Sequence, residues 1–135
     1  MKFRAMAYAL IVIFSALLIF QVLLALGAPL GKAAWGGASA VLPDSLRIGS
    51  WVSAVIFGLA LIIVLEAAGR IHIIKRPRLV KGILFFLAGL FALSALGNLV
   101  SSSPWERYLM FPVALVSSIL CLALGLQSMK KKLSQ

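Results

Sequence analysis

The stretch AMAYALIVIFSALLIFQVLLALGAPLG, residues 5–31, lies between Arg4 and Lys32 without one charged side chain. An apolar run of about 18 or more residues is long enough to cross the ~30 Å hydrocarbon core of a bilayer as a helix. Three further uncharged runs follow, between Arg47 and Glu66, between Lys81 and Glu106, and between Arg107 and Lys130. They leave little room for anything else in 135 residues. The sequence therefore reads as an all-α, polytopic membrane four-helix bundle forming a single transmembrane domain over residues 1–135. Its helices are expected at about 5–26, 47–68, 81–100 and 104–127.

Composition agrees. Apolar residues make up 63% of the chain, charged residues 12%, and the mean hydropathy is +1.12. A soluble domain of this length needs more polar surface than that. The net charge of +10 would suggest nucleic acid in a soluble protein, but the placement of the charges points elsewhere. Lys2 and Arg4 precede the first run; Arg70, Lys75, Arg76, Arg78 and Lys81 lie between the second and third; Lys130, Lys131 and Lys132 follow the fourth. Only Lys32, Arg47 and Arg107 lie in the other two connections. Short basic segments stay cytoplasmic, so both termini and the 69–80 loop are expected inside, with the 27–46 loop outside. The expected partners are membrane lipids, with anionic headgroups against the basic face, and no nucleic acid.

The first run also begins like a secretory signal, with Ala25-Leu26-Gly27 as a small-residue site. Its length exceeds the 7–15 residues usual for such a region, so an uncleaved first helix is expected. The single Cys121 falls mid-helix, as a small packing residue. Small residues recur at four-residue spacing: Gly49 and Ser53, Ala54 and Gly58, then Ser117, Cys121 and Gly125, with Ala88, Gly89 and Ala92 on the third helix. In lipid such strips let helices approach closely, within one bundle or in a homo-oligomer.

Between the first two runs lies Gly27-Ala-Pro-Leu-Gly31-Lys-Ala-Ala-Trp35-Gly-Gly37. Four glycines and a proline in eleven residues cannot continue a helix comfortably, yet the segment is too apolar for an ordinary solvated loop. It suits an element lying at the interface or dipping into the mouth of the bundle, with Trp35 at headgroup level. A phosphate loop is rejected: only three residues separate Gly27 from Gly31, and Ala33 follows the lysine. Further on, Ser103 and Pro104 are a cap and a first helical residue, and Pro112 predicts a kink.

This segment, with Gln21 before it, Val41-Leu-Pro43 and Leu46-Arg47-Ile48 after it, and Asn98, Glu106-Arg107 and Pro112-Val-Ala further on, resembles a group of small uncharacterised bacterial four-helix integral membrane proteins. The resemblance covers nearly the whole chain. It implies the fold and a bacterial inner (cytoplasmic) membrane, and it implies no activity.

The polar residues gather at the outer end: Gln21, Lys32, Trp35, Asp44, Arg47, Asn98, Ser101, Glu106 and Arg107. Polar side chains at membrane depth are costly unless paired, so Gln21 and Asn98 are expected to face inward and tie helices one and three to the Gly-rich backbone. Asp44 and Glu106 are expected to pair locally with Lys32, Arg47 or Arg107, and Glu66 with Arg70 four residues on. His72 is expected to be solvated or headgroup-facing. No cofactor or metal is implied, and no nucleophile, base and orienting group assemble into catalytic machinery. The expected role is a small non-enzymatic membrane protein that binds lipid or a membrane partner through its external Gly-rich face or a small-residue helix face. The alternative is an oligomeric small-solute transporter or channel.

Overall fold

The computed structural model describes the backbone of residues 2–133 and side chains as far as Ser128. Four long helices account for most of it: α1 (Phe3–Ala25), α2 (Asp44–Ala67), α3 (Pro77–Leu99) and α4 (Phe111–Leu133). A π-helical turn, Glu106–Met110, runs directly into α4. Each span is long and apolar enough to cross a membrane. A helix satisfies every backbone polar group within its own segment, which is the condition for crossing lipid.

The helices extend beyond the hydrophobic runs at their starts, by two residues in α1 and further in α2 and α3. α2 opens at Asp44 rather than 47, with an acid in its first turn where the helix dipole favours one. α3 opens at Pro77 rather than 81, with proline at the first helical position, where its missing N–H costs nothing. α1 and α2 end alike. Gly27 (φ 96°) and Gly69 (φ 70°) turn left-handed, and Ala28 and Arg70 donate their N–H groups back to Leu23 and Leu65 at 2.9 Å.

α1 packs along α2 and α3 along α4, as hairpins; α1 also meets α4, and α2 meets α3. At mid-height the rings of Phe14, Phe57 and Phe91 cluster, the closest pair, Phe14 and Phe91, lying 5.1 Å apart between centroids. Leu10, Val64, Leu84, Cys121 and Leu124 complete the core. Ser117 and Cys121 are fully buried, and a Cβ on Gly125 would sit 2.9 Å from the Phe85 ring. The small-residue strip of α4 therefore packs inside the chain. Gly89 and Ala92 on α3 face outward, unlike buried Ala88.

Pro112 has the expected local consequence in an unexpected form. It lacks an N–H, and its ring crowds the carbonyl one turn back. The helix widens to a π turn just before it, with Phe111 N–H bonded to Glu106 O.

At the end of the bundle where α1 begins and α2 ends, the expected Glu66–Arg70 pair does not form. The helix stops at Ala67, and Gly69 turns Arg70 off the face it would share with Glu66. Glu66 instead accepts the Ile73 N–H at 2.8 Å, and Arg70 bonds the Tyr8 hydroxyl and lies over its ring, 5.3 Å from the centroid. Lys75, Lys81, His72 and Glu66 border a groove there, and His72 is exposed. The side chains of Lys130, Lys131 and Lys132 lie outside the described residues.

Candidate functional site: a roofed cavity at the capped end of the bundle

The connection from α1 to α2 folds across the opposite end of the bundle as two short 3-10 turns, Gly31–Ala33 and Trp35–Gly37. Three consecutive residues there have positive φ: Trp35 at 54°, Gly36 at 83° and Gly37 at 71°. The glycines adopt this freely; a bulky side chain does so rarely, at a cost of about 1–3 kcal/mol. Trp35 is held there from both sides. Its indole Nε1 donates to Ser50 Oγ at 3.0 Å, and its ring fills the space beside Gly49, where a Cβ would approach it to 2.8 Å. The side chain thus seats on α2 rather than resting on headgroups alone, although it remains 41% exposed.

The turn's purpose is visible in the next residue. Gly36 N–H points at Glu106 and donates to both carboxylate oxygens, each at 3.2 Å. Ser101 Oγ donates to the same carboxylate. Ser103 Oγ donates to Lys32 O at 2.5 Å and accepts from Glu106 N–H at 3.4 Å, so one hydroxyl both caps the fourth helix and fastens the roof. Ser103-Pro104-Trp105-Glu106 has the spacing of a capping box, in which the glutamate would return to the Ser103 N–H. Here Ser101 Oγ accepts that N–H at 3.1 Å, and the carboxylate is released to the roof.

Glu106 is only 8% exposed, and among the described residues no cation pairs with it. The expected pairing with Lys32 or Arg107 is not made. Lys32 Nζ donates to Ala38 O at 3.2 Å, and Arg107 Nη2 to Ser101 O at 2.8 Å. Asp44 does pair with Arg47, at 3.7 Å, but its side chain is 98% exposed and the pair contributes little. Arg47 matters more through its Nε, which donates to Ala25 O at 2.9 Å and satisfies a carbonyl at the end of α1.

Beneath the roof is a cavity of about 240 Å³. Leu17, Phe20, Phe57, Phe91, Met110 and Val113 give it apolar walls, Ala33, Ala34 and Trp35 border it from the connection, and Gln21, Ser94, Asn98 and Glu106 supply its polar groups. Four of the residues expected from sequence therefore meet at one place: Gln21, Trp35, Asn98 and Glu106. Lys32, Asp44, Arg47 and Arg107 do not line it; Lys32, Arg47 and Arg107 bond backbone carbonyls of the connection and the helix ends, and Asp44 lies exposed.

The expected tie between Gln21, Asn98 and the Gly-rich backbone is absent. Neither side chain makes a hydrogen bond among the described residues, and Gln21 Oε1 is buried with no partner. The polar bonds that hold the roof come instead from Ser50, Ser101, Ser103 and Glu106. Of the cavity and roof residues that sequence reasoning missed, Ser94 and Ser50 carry no local signal, because a serine in an apolar helix commonly bonds its own backbone. Ser103 and Glu106 were both singled out from sequence, as a cap and as an external acid; their bonds to the roof were not, because their capping-box spacing ordinarily means something else.

No family model, curated protein or solved structure matches the chain.

Proposed function

We propose that this chain is a small non-enzymatic membrane protein whose roofed cavity binds a guest drawn from the membrane or its outer surface. One observation carries the reading: a cavity of about 240 Å³ with apolar walls contains a buried amide oxygen, Gln21 Oε1, without a partner among the described residues. A buried acceptor left unpaired costs about 1–3 kcal/mol, and a guest that donates to it removes that cost. Largely apolar concavities with a few convergent polar groups are the usual form of a small-ligand site.

The proposed setting is a bacterial inner membrane, with both termini and the basic 69–80 loop cytoplasmic and the roof outside. The distribution of Lys and Arg supports this orientation. At the basic end, Lys75 and Lys81 beside apolar Val80 and Leu84 suit anionic lipid headgroups. A single cysteine at Ser39, in a Cys121→Ala background, is expected to react with an impermeant maleimide added to intact cells. One at position 73 is expected to react only after lysis. The reverse pattern contradicts the orientation.

Native mass spectrometry of the gently extracted protein tests the binding itself. A defined added mass, lost in Asn98→Leu, is expected; a bare chain with random lipid adducts contradicts it. The second reading, an oligomeric transporter or channel, draws on the depth of the same cavity, which reaches the mid-height rings Phe57 and Phe91. Solute flux in proteoliposomes that disappears in Gln21→Leu would favour it.

A further inference from the structure

Resting on the reading that the cavity holds a guest, the charge pattern inside it narrows the chemistry. Among the described residues, Glu106 is the one ionisable side chain that lines the cavity. It is buried, and its donors are all neutral: the Gly36 N–H and the Ser101 hydroxyl. A carboxylate offers about four lone-pair positions, so these two donors leave acceptor capacity unused. A buried charge normally has a charged partner, because neutral donors replace only part of its lost hydration. Arg107 and Lys32, two of the cations expected beside it, are engaged with backbone carbonyls instead. Among the described residues, no cationic side chain lines the cavity to receive an anion.

The remaining polar groups are neutral. Gln21 presents a buried acceptor, with Asn98 and Ser94 beside the same space. The walls add the rings of Phe20, Phe57 and Phe91, and an aromatic face attracts a cation, more strongly where water is excluded.

We infer that the guest carries a protonated amine on a small apolar body, its ammonium group seated against Glu106 and Gln21. The volume of about 240 Å³ corresponds to about eight water-sized groups at ~30 Å³ each, enough for a small aryl- or alkylamine or for an amine headgroup with the first part of its lipid. A free amine and an amine headgroup present the same chemistry to the site.

The test uses the full chain in uncharged maltoside micelles. Trp51→Phe and Trp105→Phe leave Trp35, at the roof, as the sole tryptophan reporter. Three probes of similar shape are titrated: phenethylammonium, phenethyl alcohol and hydrocinnamate. The ammonium probe is expected to bind about ten- to hundredfold more tightly than the alcohol, as charge-assisted hydrogen bonds require, and the carboxylate probe weakest. Glu106→Gln, whose amide oxygen still accepts from Gly36, is expected to bring the ammonium and alcohol affinities together. Asn98→Asp adds a second carboxylate and is expected to widen the ammonium preference, a gain that a damaged fold does not produce.

Equal affinity for ammonium and alcohol overturns the amine inference while leaving the cavity reading intact. Failure of all three probes at millimolar concentration overturns both. Given ammonium binding, competition by a short-chain ethanolamine lipid, but not by its glycerol counterpart, identifies a lipid headgroup as the source. Ammonium binding unaffected by either lipid identifies a free amine.

Discussion

Replacing Gln21 with leucine separates a residue that holds the fold from one that waits for a guest. If Gln21 tied α1 to the roof, its loss would destabilise the protein. The structure gives the opposite sign for the guest-free chain. Gln21 Oε1 is buried without a hydrogen bond, and an unmet acceptor of this kind costs about 1–3 kcal/mol. Leucine is of similar reach, meets Leu17, Phe20 and the other apolar walls, and carries no polar group to desolvate. A gain of about 1–2 kcal/mol is therefore expected for Gln21→Leu, at the low end because part of the residue remains accessible. The assay is equilibrium unfolding by SDS titration in maltoside, on protein stripped of bound lipid. The same variant should lose the guest mass in native mass spectrometry, so that stability rises while binding falls. A loss of about 1 kcal/mol or more would instead mean that Gln21 has a structural partner.

Further outcomes concern the roof and its braces. Ser103→Ala removes both the helix cap and the bond to Lys32 O, and should cost about 1–2 kcal/mol in the same SDS titration. Arg47→Ala should cost about 1–2 kcal/mol by uncovering Ala25 O, whereas Asp44→Asn, at an exposed pair, should change stability by less than about 0.5 kcal/mol. Gly49→Val places a Cβ 2.8 Å from the Trp35 ring and must displace it; in a Trp51→Phe, Trp105→Phe background the Trp35 emission should shift to the red.

The four helices and the cap of the fourth were legible because each rests on local rules. Long uncharged runs define the spans, and Ser103-Pro104 announces the start of the fourth helix. The gathering of Gln21, Trp35, Asn98 and Glu106 at one end was also legible, since position along a spanning helix sets depth. Their partners were not, because these depend on how separate elements meet. Glu66 and Arg70 have helical spacing, but Gly69 ends the helix between them and sends Arg70 to Tyr8. Glu106 has the spacing of a capping residue, yet a backbone N–H presented by a left-handed turn seventy residues earlier claims it. Nothing local to Gly36 or Glu106 encodes that meeting. Gln21 inverts the usual rule: a polar side chain in a membrane helix was expected to be paired, and the structure leaves its oxygen bare.

The most direct measurement of the central claim is an experimental density map of the gently extracted protein, crystallised from a lipidic phase with its native lipids. A continuous feature is expected beneath Trp35, within hydrogen-bonding distance of Gln21 and Glu106 and bounded by Phe20, Phe57 and Phe91. A collapsed space in which Gln21 is paired to Asn98 or to the roof backbone, with no room for a guest, would contradict it.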